Sequence, residues 1–113
     1  MNITVEDIPG GIAKIRLSGR FDTTGAVMVE LPFNKTVTEK QKVLVDLSEV
    51  NFLASYGIRV LLVGAKLARA KQGKLVVVCP DNNVAKVLKI AGTDSLIPMF
   101  HSQADAAAAL AVP

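Results

Sequence analysis

The chain has 113 residues, half of them apolar, which suits one domain with its own core and leaves no room for a separate catalytic module. A net charge of +3 with scattered basic residues argues against a nucleic-acid partner, because a phosphate backbone is met by clustered cations. One cysteine, Cys79, and one histidine, His101, make neither a disulfide framework nor a metal-ligand set, so no metal and no cofactor is expected.

The start, Met1-Asn2-Ile3-Thr4, lacks the basic residues and apolar core of a signal peptide. Lys and Arg interrupt the longest apolar stretch before it reaches membrane-spanning length. A cytoplasmic protein with no membrane span is therefore expected. Residues 3–8 alternate apolar and polar, Pro9-Gly10-Gly11 supplies a turn, and residues 12–17 alternate again. Two period-two runs around such a turn read as a β-hairpin. Gly19 closes the second strand.

Asp22, Thr23 or Thr24 can cap a helix running through Ala26, Val27 and Leu31. Pro32 lies inside it, and a proline there removes a hydrogen bond and crowds the preceding turn, so a kink or a break is expected. Residues 43–47 form a near-continuous apolar run, the pattern of a strand covered on both faces. Residues 48–54 read as a loop. From 56 to 72, Ile58, Leu61, Leu62 and Ala65 recur at helical spacing, with Gly73 as the C-cap. The cations Lys66, Arg69 and Lys71 are interrupted by Leu67, Ala68 and Ala70 and read as a solvated helix face.

Residues 75–79 form another buried-type strand, in which Cys79 reads as a small core hydrophobe. Nothing in the sequence brings it to His101 as a catalytic pair. Asp81, Asn82 or Asn83 caps the next helix, with a core stripe of Val84, Val87, Leu88 and Ala91, and Gly92 ends it. A short strand at 97–100 and a helix over 103–110, opened by Ser102 or Asp105, complete the chain. A hairpin followed by alternating helix and strand implies right-handed crossovers and mostly parallel pairing within a single domain, residues 1–113. Functional groups in such sheets gather beyond the carboxyl ends of the strands, which directs attention to residues 48–57.

In that loop Ser55 occupies the N-cap position of the periodic helix, a favoured place for serine worth about 1 kcal/mol. Gly57 in the first turn forfeits helix propensity. That loss suggests a close approach by another backbone or a ligand. On the helix beyond, Arg59, Val63 and Lys66 fall at i, i+4 and i+7, roughly opposite the core stripe, and offer a docking face. Tyr56 reads as an aromatic contact or a second modifiable hydroxyl.

Residues 43–47, Val50-Asn51-Phe52, Ala54-Ser55-Tyr56-Gly57-Ile58 and Leu61-Leu62 resemble the signature of bacterial anti-sigma-factor antagonists, which are STAS domains. Leu17-Ser18-Gly19-Arg20-Phe21-Asp22, Gly73-Lys74-Leu75-Val76-Val77-Val78 and the helix closing at Gly92 extend the likeness over nearly the whole chain. The resemblance implies the STAS fold, a mixed sheet of four to five strands flanked by about four helices. It also implies a partner switch regulating transcription. In the family, an anti-sigma factor that is also a serine kinase of the histidine-kinase-like ATPase type phosphorylates one serine, and the unmodified form binds that kinase. Carried over, Ser55 is the phosphoacceptor and Asp22 lies in the neighbouring loop that contributes to partner contact; together with the helix face, the expected partner-binding residues are Asp22, Thr23, Ala54, Tyr56, Gly57, Arg59, Val63 and Lys66. A weak homodimer is compatible with the same reading.

Two positions depart from the pattern: Ala54 stands where the family has aspartate, and Tyr56 replaces a small hydroxyl residue. Ala54 leaves room for a STAS scaffold without the phosphorylation switch, or a small-ligand sensor. A response-regulator receiver with Asp46 as acceptor is a third reading, but Glu6-Asp7 precedes a hairpin turn and no lysine in the last third is placed as its partner. No catalytic triad and no phosphate-cradling glycine loop appears, so no intrinsic catalysis is expected.

Overall fold

The computed structural model describes residues 1–80 and 82–111. Two strands, β1 (Asn2–Ile8) and β2 (Ile12–Phe21), are followed by α1 (Thr23–Glu39), β3 (Lys42–Leu53), α2 (Ser55–Ala70), β4 (Lys74–Val78) and α3 (Asn82–Ile90). A single 3-10 turn (Thr93–Ser95), β5 (Met99–Phe100) and α4 (Gln103–Ala111) complete the described chain. The sheet order is β1-β2-β3-β4-β5, with β1 antiparallel to β2 and the remaining pairs parallel. This is the mixed α/β architecture expected from the sequence. Gly10 and Gly11 both take positive φ in the hairpin turn (97° and 71°), a conformation that glycine adopts without steric cost.

The strands β3 and β4 are apolar at consecutive positions because helices cover both of their faces. On one face Ile15, Leu17, Val43, Val45, Leu47 and Val77 pack with Phe33 and Val37 of α1 and Val60 and Leu61 of α2. On the other, Ile12, Leu44, Val76 and Val78 pack with Ala106 and Leu110 of α4. Full burial of each large apolar side chain stabilises the fold by about 1.5–3 kcal/mol. Toward β1 and β2 this second face instead carries paired charges. Lys14 Nζ lies 3.7 Å from Asp46 Oδ2 and 3.8 Å from Glu6 Oε1, and Arg16 Nε lies 3.7 Å from the same Asp46 oxygen. Asp46, the acceptor that a receiver would use, is therefore buried in the sheet and bound to cations. Among the described residues, no helix is long and apolar enough to cross a membrane.

Several local expectations are corrected. Pro32 does not break α1, which runs as one helix of 17 residues. Its core stripe is Ala26, Val29, Phe33 and Val37, while Val27 and Leu31 face outward, 58% and 81% exposed. Residues 48–53 are strand rather than loop, because β3 carries two extra residues against β2. The pairs step from Arg16↔Asp46 to Ser18↔Glu49, and from Gly19↔Val50 to Arg20↔Phe52. Bulges of this kind bend a strand and break its period-two pattern, and β2 likewise runs past Gly19 to Phe21.

In α2 the buried residues are Gly57, Val60, Leu61, Gly64 and Ala68, with Ile58, Leu62 and Ala65 at the flank of the core. The left-handed residue ending that helix is Gln72 (φ 63°) rather than Gly73. In α3, Val84, Ala85 and Leu88 face the core, while Val87 and Ala91 are exposed. Of its expected caps, Asp81 lies outside the described residues. Ser102 opens α4, its Oγ accepting from the Asp105 N–H at 3.2 Å.

Candidate functional site

The rung Phe21↔Leu53 closes the β2–β3 ladder at the carboxyl end of the sheet. One residue later each strand hands over to a helix, so Asp22 and Ala54 become the N-caps of α1 and α2 side by side. The Ala54 N–H donates to the Phe21 carbonyl at 3.0 Å and stitches the two exits together. The third residue of each helix is a glycine, and both are buried. A Cβ on Gly25 would lie 2.3 Å from the Arg20 carbonyl oxygen, and one on Gly57 2.8 Å from that of Phe21. The close approach that Gly57 signals is thus internal: Gly57 packs on Phe21 and Leu53 and presents nothing to a partner.

The two caps differ chemically. Asp22 Oδ1 accepts the Gly25 N–H at 2.8 Å, and this bond, assisted by the Arg20 guanidinium, holds the carboxyl below its usual range. Ala54 has extended backbone (φ −106°, ψ 172°) and no side-chain oxygen to offer the N–H groups of α2. Ser55, expected as the cap, is instead the first helical residue. It is exposed, and its hydroxyl makes no hydrogen bond among the described residues.

Around Ser55 the remaining expected residues divide. Thr23, Arg59 and Lys66 are exposed and Val63 is half-buried, and on α2 Arg59 and Lys66 share the solvent face of Ser55. Tyr56 is half-buried, its hydroxyl donating to Glu30 Oε1 at 3.2 Å, which makes it a brace between α2 and α1. Sequence reading missed Glu30, and it missed Arg20, whose guanidinium sits 4.2 Å from the centroid of the exposed Phe52 ring. Arg20 Nε also approaches Asp22 Oδ2 at 3.6 Å, so this one side chain bridges both strand exits. The Arg20↔Phe52 pairing arises from the second β3 bulge, which no local sequence signal announces.

The model of the STAS domain family matches residues 3–106, and the chain belongs to that family. It is 32% identical over 110 residues to a protein of Bordetella bronchiseptica provisionally named anti-sigma factor antagonist BtrV, covering 96% of this chain and 94% of that one. Among solved structures, an anti-sigma factor antagonist from Mycobacterium paratuberculosis superposes with a TM-score of 0.83 at 25% identity, over 96% of this chain and 92% of that one. The fold is also that of the anti-sigma factor antagonist SpoIIAA, solved unphosphorylated (TM-score 0.72, 15% identity, 96% of each chain) and phosphorylated (0.70, 16%, 93% of this chain and 96% of that one).

Proposed function

We propose that this chain is an anti-sigma-factor antagonist whose docking to an anti-sigma factor is controlled by phosphorylation of Ser55. The observation that carries the proposal is the exposed, unbonded Ser55 hydroxyl on the first residue of α2. A phosphate adds about −1.5 to −2 charges. The N-terminal N–H groups of a helix, with its dipole, tolerate an anion there, so the domain keeps its shape. A partner fitted to a neutral hydroxyl then meets a solvated dianion and is released. The names of the relatives support the antagonist role. The partner is an anti-sigma factor that also acts as the serine kinase, of the histidine-kinase-like ATPase type. Its contacts are Thr23, Tyr56, Arg59, Val63 and Lys66 around Ser55, with Asp22 in the adjoining exit.

Ala54 favours one second reading, a STAS scaffold that binds without modification. Binding of Ser55→Asp and Ser55→Ala proteins to the purified anti-sigma factor separates the two. The switch reading requires Ser55→Ala to bind like the parent and Ser55→Asp to lose binding, and ATP with the kinase to add the mass of one phosphate to the parent alone. Equal binding by both variants, with no added mass, leaves the scaffold.

A further inference from the structure

The outer surface of α1 carries apolar side chains that its own fold does not use. Val27 and Leu31 lie at i and i+4, 58% and 81% exposed, while the buried stripe of the helix is Ala26, Val29, Phe33 and Val37. Successive residues turn about 100° round a helix axis, so Glu30 stands between this strip and the core stripe, on the flank facing α2. Its hydrogen bond to the Tyr56 hydroxyl at 3.2 Å joins the two helices edge to edge. On α2, Val63 lies seven residues beyond Tyr56 and so on the same flank of that helix, with Arg59 and Lys66 next to it round the axis toward solvent. No acidic residue occurs anywhere in α2 (Ser55–Ala70). Neither Arg59 nor Lys66 pairs with a carboxylate among the described residues. Lys35, one turn beyond Leu31, is an exposed cation as well.

We infer that Val27, Leu31 and Val63 form the apolar centre of one continuous docking strip with a cationic rim, and that its occupant is an acidic surface of the anti-sigma factor: an apolar side chain flanked by carboxylates. This deepens the antagonist reading and rests on it. The charge pattern selects that chemistry, because unpaired cations around an apolar centre attract carboxylates and repel a basic face. It also gives the Ser55 phosphate a target. Ser55 and Arg59 are at i and i+4, on one face of the helix. A dianion on Ser55 neutralises the nearest rim cation and repels the partner's carboxylates.

The test uses the full chain and the purified anti-sigma factors of the organism that encodes it, titrated one at a time by calorimetry. For a factor that binds the parent, affinity falls as salt shortens the screening length from about 10 Å to about 3 Å. Leu31→Asp weakens binding about tenfold or more, and so does the double variant Arg59→Glu, Lys66→Glu, which also loses most of the salt dependence. The reversal Lys86→Glu, on exposed α3 away from the strip, keeps parental affinity. All these positions lie outside the fully buried core, and unchanged melting curves report that each variant is folded. Parental affinity in Leu31→Asp or in the double variant, or an affinity indifferent to salt, overturns the strip while the antagonist role stands. Failure of the parent to bind any anti-sigma factor overturns the antagonist role and the strip with it.

Discussion

Asp22 and Ala54 are N-caps of two helices that leave neighbouring strands one residue beyond the same rung, yet only Asp22 closes its helix with a side chain. The difference predicts that Ala54→Asp stabilises the protein. A carboxylate at that position can accept an N–H of the first turn of α2, as Asp22 does from Gly25. The expected gain is about 0.5–1 kcal/mol, read as a higher midpoint in urea with an unchanged slope.

Asp22 itself predicts a pH dependence. Its carboxyl is held below the usual value by the Gly25 N–H and the Arg20 charge. A group with a depressed folded pKa adds stability above the unfolded value, near 3.9, and loses it as pH falls through the folded value. Asp22→Asn keeps a capping oxygen without the charge. The stability difference between parent and Asp22→Asn should therefore shrink as pH falls below about 4, measured by denaturant melts over the acid range.

Gly57→Ala is expected to destabilise, although alanine is the better helix former. The new methyl would stand 2.8 Å from the Phe21 carbonyl oxygen and 2.9 Å from Leu53 Cδ1, so α2 must lift from the sheet. Overpacking of this kind costs about 1–3 kcal/mol. A melting temperature at or above that of the parent would show that the helix start yields without strain.

Pro32→Ala is expected to stabilise. Pro32 is exposed within an unbroken α1 and contributes no N–H to its ladder, a helix-interior cost of about 3 kcal/mol. The greater freedom of alanine in the unfolded chain returns up to about 1 kcal/mol of that. A net gain of about 1–2 kcal/mol in denaturant melts is the expected outcome.

The hairpin, the parallel pairing and the helix that follows the site were legible because their patterns are long and regular: residues 43–47 are apolar except for Asp46, and residues 3–6 alternate with period two. The errors share one physical origin, the neglect of what lies beside a segment in space. Residues 48–53 lose their alternation because β3 bulges twice against β2, a property of the pairing and not of either strand alone. Val27 and Leu31 are apolar and sit at i and i+4, yet Ala26, Val29 and Phe33 make an equally regular stripe, and packing buried the latter. Ser55 was assigned one position too early for the same reason, since the helix begins where the Phe21↔Leu53 rung releases the chain. Its exposure, which the reading required, is what the structure shows.

Gly25 presses α1 onto the Arg20 carbonyl and Gly57 presses α2 onto the Phe21 carbonyl, two successive groups of β2. Both helix starts are thus seated directly on the end of one strand, and the Ala54 N–H bond to the Phe21 carbonyl ties β3 to that same end. The proposed switch at Ser55 would act on a helix start that is seated on the sheet in this way. On this reading it works in place, as a change in what the surface repels and attracts.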